Sequence, residues 1–516
     1  MNKMCIRTLA IMAMAASSAL ADDAFCQVAG STRAAGNTAQ AQSAPQATNV
    51  SQVRVTVDGV VGADGTMGAE EKDYVFLFGN VHRDTAVLRV LIQNAPDYFN
   101  APDMPRFAII GKERKFYLGI GGYAKASISY DFANPVTNPL CFVTSSIPME
   151  EIPGNGTLVQ MNAGASNLFF NFIALPHTKN QIGAYINFDF SGNNANYGFS
   201  LKSAYLTYKG FTLGFKPSLF TDGAACAPTV DQQGPNAMTF LFNTVLDYQY
   251  AFNSHWKVGV GLEMPVVNAT YNNYSYQVNQ RVPDIPFYGQ FSYKEGKAWI
   301  RLSGLIRNMY YRNVSEGSTE DVFGYGIKLS GTTPLGRKVK LFYQTVYGKG
   351  LGSYIQDLQG LGLDMVPAGY GSSGYGSSGA SGTSGFGGLD NSLKLGTLES
   401  VEALGSYTGL MWQISPEFFT SATFSEVECF YPKSAETATA STTATTAATA
   451  STASTASTTA KASATYKRSK YFVANVFYNI TPSVQAGVEY LWGSRENVGG
   501  ATHHDTRLQT AVRVNF

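Results

Sequence analysis

From Lys115 to the C-terminus, apolar and polar positions trade places every second residue in one run after another. In 298–308, Ala298, Ile300, Leu302, Gly304 and Ile306 form one set, while Arg301, Ser303 and Arg307 belong to the other. In 322–330, Phe323, Tyr325, Ile327 and Leu329 oppose Gly324, Gly326, Lys328 and Ser330. In 123–132, Ala124, Ala126, Ile128, Tyr130 and Phe132 oppose Lys125, Ser127, Ser129 and Asp131; in 485–495, Ala486, Val488, Tyr490 and Trp492 oppose Gln485, Glu489 and Arg495. Side chains alternate faces along a strand, so a period of two predicts strands with one greasy face and one polar face. The pattern predicts sixteen of them, at 115–132, 167–175, 181–190, 197–208, 211–220, 239–251, 255–264, 286–294, 297–311, 321–331, 337–350, 400–412, 418–430, 466–480, 483–495 and 505–516.

The gaps between these runs alternate in length. After odd-numbered strands they are long and polar, as at 133–166, 221–238, 265–285, 351–399 and 431–465. After even-numbered strands they are short, as at 176–180, 209–210, 295–296, 332–336 and 481–482. An even strand count with short turns at one end and long loops at the other is the layout of an outer-membrane barrel, short turns in the periplasm and long loops outside. The fold class expected is therefore all-β: a transmembrane antiparallel β-barrel of about sixteen strands with a small periplasmic N-terminal extension.

The charges decide which face is which. A soluble barrel would bury its apolar set, but here the other set carries Arg or Lys in strand after strand. Arg at the lipid midplane costs on the order of 2–4 kcal/mol. The apolar set is thus expected to meet lipid and the charged set a polar lumen. Closure removes the edge strands that lipid cannot satisfy. At this strand number the lumen is expected to be an aqueous channel.

Composition fits that reading. The chain has 30 Tyr, 32 Phe and 52 Gly, and only 14% charged residues. Aromatics such as Trp256, Trp299, Tyr310, Tyr311 and Trp412 fall near strand ends, where headgroup-level girdles stand. No later run of 18 apolar residues suggests a membrane helix. Residues 1–21 read as a signal peptide: Lys3 and Arg7, a short apolar core, then Ala19-Leu20-Ala21. Removing those two cations takes the formal charge from +1 to −1, which leaves no basic pull toward nucleic acid. Four cysteines remain, Cys26, Cys141, Cys226 and Cys429; an exported chain meets oxidising conditions, so a disulfide and free thiols stand as equal readings.

Residues 22–110 read as a separate, partly disordered periplasmic extension. Residues 22–48 are rich in Ala, Gln, Ser and Thr, 53–61 suggest a strand, and 84–93 a short helix capped by Asp84. The barrel is placed at 111–516, with low-complexity external loops near 367–390 and 434–465. Those loops read as tolerated insertions or as a surface for variation and glycans.

The last ten residues set Leu508, Thr510, Val512, Val514 and Phe516 on one face and Arg507, Gln509, Arg513 and Asn515 on the other. This resembles the closing strand of a bacterial outer-membrane barrel. The runs Tyr466-Lys467-Arg468-Ser469-Lys470-Tyr471-Phe472-Val473-Ala474-Asn475 and Val488-Glu489-Tyr490-Leu491-Trp492-Gly493-Ser494-Arg495-Glu496-Asn497 resemble the C-terminal strands of the DcaP-like trimeric outer-membrane transporters, a porin family. Gly122-Tyr123-Ala124-Lys125 and Gln233-Gly234-Pro235-Asn236-Ala237-Met238 add to the resemblance, which spans roughly 115–516. It implies a sixteen-stranded barrel, a homotrimer in outer-membrane lipid, and passive uptake of small hydrophilic, often anionic, solutes in the outer membrane of a Gram-negative bacterium. It implies no cofactor and no enzyme activity. Members often carry a periplasmic coiled coil, and this chain shows no heptads.

Candidate site residues follow from the alternation. Lys125, Lys202, Lys216, Arg301, Arg307, Lys328 and Arg513 are expected on the lumen wall, with Asp222 and Asp231 on a constriction loop after the fifth strand. Rings of basic side chains favour anions; the plainer reading is that they solvate the wall. His503-His504-Asp505 suggests a metal or acid–base pair at the outer rim, but no nucleophile or third ligand accompanies it, so a solvated loop is the favoured reading and no catalytic or metal residue is expected. An outer-membrane hydrolase and a surface adhesin are the rival functions.

Overall fold

The computed structural model describes residues 74–78, 85–96, 98, 105, 107–111, 114–150, 153–154, 156–193, 197–368, 396–432 and 465–516. The signal peptide, the 22–48 and 53–61 segments and the two low-complexity loops lie outside these residues. The N-terminal part holds β1 (Tyr74–Phe78), α1 (Thr85–Asn94) and β2 (Phe107–Gly111). The wall begins with β3 (Phe116–Asp131), followed by β4 (Leu158–Asn162), β5 (Asn167–Ala174), β6 (Ile182–Asn193), β7 (Gly198–Tyr208), β8 (Phe211–Pro217), β9 (Phe242–Ala251), β10 (Trp256–Glu263), β11 (Ser275–Gln277) and β12 (Ile285–Tyr293). The chain continues through β13 (Ala298–Asn313), β14 (Ser318–Pro334), β15 (Val339–Lys349), β16 (Met365–Pro367), β17 (Leu398–Ser400), β18 (Glu402–Gln413), β19 (Phe418–Phe430), β20 (Tyr466–Thr481), β21 (Val484–Asn497) and β22 (Thr502–Asn515), with β16 and β17 paired only with each other.

Sixteen of these strands, all but β1, β2, β4, β11, β16 and β17, form a closed antiparallel barrel. The last pairs with the first: Arg507 stands opposite Asp131, Arg513 opposite Lys125 and Asn515 opposite Tyr123. Every strand read from the alternation is present, within a few residues at each end. The short elements β4 and β11 extend the wall where a neighbour stops, β4 against the outer end of β3 and β11 against that of β13.

Orientation follows the charges. Ile327 is 56% exposed and Leu508 42%, while their chain neighbours Lys328 and Arg507 are wholly buried inside. The outer wall is apolar and the inner wall polar, which places the closed barrel in an outer membrane. Buried lumen ion pairs replace solvent for the inward charges; Arg507 Nη2 donates to Asp131 Oδ2 at 2.8 Å.

The lumen is not the bare water-filled tube that strand number alone suggests. Residues 218–241 and 351–366 fold inward, and an apolar cluster of Phe220, Met238, Leu351, Tyr354, Ile355 and Leu358 sits within the ring of strands. Part of the gap read as polar external loop is therefore interior. The N-terminal part also differs from a detached extension. β2 pairs with the periplasmic end of β3, and β1 pairs with β2. Val87 and Leu91 of α1 pack on Tyr117 and Ile173, which face inward from β3 and β5. A Cβ on Gly119 would lie 2.8 Å from Pro105 and 3.3 Å from Leu91, so glycine is what lets this segment lie against the wall. Asn94 then donates to Asn171 Oδ1 at 2.7 Å and accepts from Thr207 at 2.6 Å.

Candidate functional site

The segment after β8 crosses the lumen. It is held at both sides by side chains that the alternation of the strands turns inward. On one side, Asp222 accepts from Ser330 Oγ at 2.6 Å and Trp299 Nε1 at 3.1 Å, and stands 3.6 Å from Arg301. Lys328 Nζ donates to the Phe220 carbonyl and, at 3.0 Å, to Thr239 Oγ1. On the other side, Glu489 accepts the backbone N–H groups of Val230 and Asp231 at 2.7 and 2.8 Å, and Lys125 Nζ donates to the Val230 carbonyl at 2.6 Å. Asp231 in turn accepts from the N–H groups of Phe142, Gln233 and Gly234.

A second infolded segment is held in the same way. Arg307 Nη1 meets Asp364 Oδ1 at 3.1 Å, Arg307 Nη2 meets Asp284 Oδ2 at 3.3 Å, and all three side chains are fully buried. Arg307 also donates to the carbonyls of Gly350 at 2.7 Å and Val266 at 2.6 Å. Asp357 accepts from Thr144 Oγ1, the Ser145 N–H and Tyr466 OH, joining this segment to the first external loop and to β20.

Electrostatics match the contacts. Burial alone would raise the Asp222 carboxyl, but the Arg301 and Lys328 cations and the Ser330 and Trp299 donors hold it below the usual carboxylate range. For Asp231 burial prevails over Arg507, Lys125 and the N–H donors, and its carboxyl is raised. Burial pushes Asp284 up to about 6 despite Arg307, which it shares with Asp364. Burial likewise pushes the Cys141 thiol up to about 12.

The structure turns all seven basic candidates toward the lumen but gives them more than wall-lining contacts. Arg307 and Lys328 are buried anchors; Lys125, Lys202, Lys216, Arg301 and Arg513 are half-buried. Lys202 pairs with Asp189 at 3.2 Å and Lys216 with Asp247 at 2.5 Å. Arg513 lies over the Tyr123 ring and stands beside Lys125 across the β3–β22 seam. Asp222 and Asp231 lie on the infolded segment, but their carboxylates serve its own fixing. The anchors Asp284, Asp357, Asp364 and Glu489 were not among the candidates. Glu489 did fall on the polar face of its strand; the three aspartates lie in gaps, where period two gives no signal. His503, His504 and Asp505 belong to β22, and Asp505 accepts from the N–H groups of Ala133 and Val136. Cys141, Cys226 and Cys429 are free thiols.

The fold has counterparts among solved structures. The outer membrane channel DcaP of Acinetobacter baumannii aligns with 78% of this chain and 99% of its own, with a TM-score of 0.59 and 14% identity. The fold is that of an outer-membrane β-barrel. The anion-selective porin from Comamonas acidovorans aligns with 78% of this chain and 100% of its own at a TM-score of 0.44 and 9% identity, and OmpT, an outer membrane protein of Vibrio cholerae, also aligns with 78% of this chain and 98% of its own at a TM-score of 0.44 and 8% identity. No family model and no curated protein matches the chain.

Proposed function

We propose that this barrel is a porin: a passive diffusion channel for small hydrophilic solutes, working as a homotrimer and without catalysis. The observation that carries the reading is the inward-facing polar wall with two loops drawn across the lumen and fixed there by Asp222, Asp364 and Glu489. Such a loop narrows a pore while leaving the wall intact, so size selection comes from fixed geometry and needs no energy source. Anion preference is part of the proposal. Lys125 and Arg513 are register partners on adjacent strands, two like charges side by side on the inner wall. Cations so placed attract anions to the passage.

Planar bilayers test this. The reconstituted protein is expected to give stepwise conductance in groups of three, with a reversal potential in a KCl gradient that favours chloride. A protein that inserts but conducts nothing contradicts the porin reading. A cation-favouring potential contradicts the anion preference alone.

A further inference from the structure

The outward faces of β20, β21 and β22 change character near the long-loop end. On β20 the outward residues Phe472, Ala474, Val476, Tyr478 and Ile480 span ~20 Å of tilted wall, close to an apolar band of about 25 Å. The row that ends this band is aromatic: Phe424, Phe472 and Trp492 are register neighbours. One row further out the neighbours are Glu426, Lys470, Ser494 and His504, and beyond those Glu428, Arg468 and Glu496. Here a cavity of about 430 Å³ opens on the outer wall, bordered by Arg468, Lys470, Trp492, Ser494, Glu496 and His504.

Its charges are unevenly used. Glu496 is taken by Lys467 at 2.7 Å and by Arg468 Nε at 3.1 Å, and Arg468 also reaches Glu426 at 3.8 Å. Among the described residues, Lys470 and His504 make no side-chain hydrogen bond and no ion pair within 4 Å; Glu426 faces Lys470 in register, and the two charges attract at longer range. They flank the Ser494 hydroxyl in one row, two strand spacings or ~10 Å apart. An anion the size of a phosphate fits between them, with Arg468 above and the Trp492 ring below.

We propose that this cavity binds the phosphorylated sugar headgroup of an outer-leaflet glycolipid. Lys470 and His504 grip the phosphate, Ser494 donates to it, Trp492 packs against the sugar, and the acyl chains run down the apolar wall below. The location selects this ligand: the cavity opens outward at headgroup height, directly above the aromatic row, where a soluble solute in the lumen never arrives. Basic pockets at membrane boundaries bind anionic headgroups through charge-assisted hydrogen bonds.

The experiment uses the full-length protein in detergent, titrated with purified lipopolysaccharide, its enzymatically dephosphorylated form, and inorganic phosphate. The expected result is saturable binding of the phosphorylated glycolipid that weakens about ten- to thirtyfold in K470Q/H504Q. K470R/H504K restores binding, and R312Q, an outward cation on β13, leaves it unchanged. Heat-shifted gel migration shows that each variant is folded. The proposal is overturned if K470Q/H504Q binds like the parent, if the dephosphorylated glycolipid binds equally well, or if equimolar inorganic phosphate displaces the lipid. It is also overturned if the double variant changes only the oligomeric state, which makes the row a subunit contact. Conductance is unaffected in every case, so the porin reading stands or falls separately.

Discussion

Arg307→Met isolates the role of the buried anchors. The guanidinium serves two carboxylates, Asp284 at 3.3 Å and Asp364 at 3.1 Å, and two carbonyls, and it lies 5.2 Å from the Tyr354 ring centroid. Methionine fills similar space but leaves two carboxylates unpaired in a region without solvent. Removing one partner of a buried ion pair costs about 3–5 kcal/mol. At about 1.4 kcal/mol per tenfold, the population with residues 351–366 displaced rises roughly a hundredfold to several thousandfold. The barrel itself has sixteen paired strands and stays closed, so the change appears in the pore. In planar bilayers the variant is expected to show larger and noisier unit conductance. R307M/D284N/D364N, which removes the stranded charges as well, recovers most of the parent behaviour. Single-channel records of R307M indistinguishable from the parent, in protein that still shows the folded gel mobility, refute the argument that Arg307 fixes the infolded segment.

Three other outcomes follow from the same geometry. Lys125→Gln combined with Arg513→Gln lowers the chloride-to-potassium permeability ratio read from reversal potentials, while Lys216→Gln combined with Asp247→Asn, which removes an ion pair of 2.5 Å as a unit, changes it little. Asn94→Ala removes the side-chain hydrogen bonds from α1 to Asn171 and Thr207 and keeps the one from Asn171 to the Leu91 carbonyl, a loss of about 1–3 kcal/mol for buried polar groups left unmatched; limited proteolysis near α1 speeds up while the barrel keeps its heat-shifted mobility. Gly348→Ala fails to fold, since its Cβ would sit 2.0 Å from the Tyr325 carbonyl oxygen, whereas Gly289→Ala, with no atom within 4 Å, folds normally.

The wall was legible because two solvents act on it. Lipid outside and polar lumen inside make each residue's face obvious, so runs such as 322–330 carry an unbroken alternation. The strand ends blurred by a few residues: β14 begins at Ser318 and β22 at Thr502, in sequence that is polar on both faces. The lumen contents were only partly legible. The crossing segment with Asp222 and Asp231 was expected, yet the 351–366 segment was taken for an external loop. Leu351, Tyr354, Ile355, Leu358 and Leu363 were the available signal, an apolar set too dense for solvent. The docking of α1 against the inner wall also had a trace in sequence. Glycines 119 and 121 interrupt the inward face of a strand, and glycine in a strand marks close approach of another chain segment. Which partner each inward charge finds depends on residues far apart in the chain, such as Arg307 with Asp364, and no local pattern encodes that.

In this barrel the greasy face of each strand meets hydrocarbon. Nitroxide labels placed singly along 508–514 in the reconstituted protein test it through collision with oxygen, which concentrates in lipid, and with a polar nickel chelate. The expected result is a period of two: Leu508, Thr510, Val512 and Val514 favour oxygen, and Gln509, Ala511 and Arg513 do not. An inverted or absent alternation, with Val512 shielded from lipid, contradicts it.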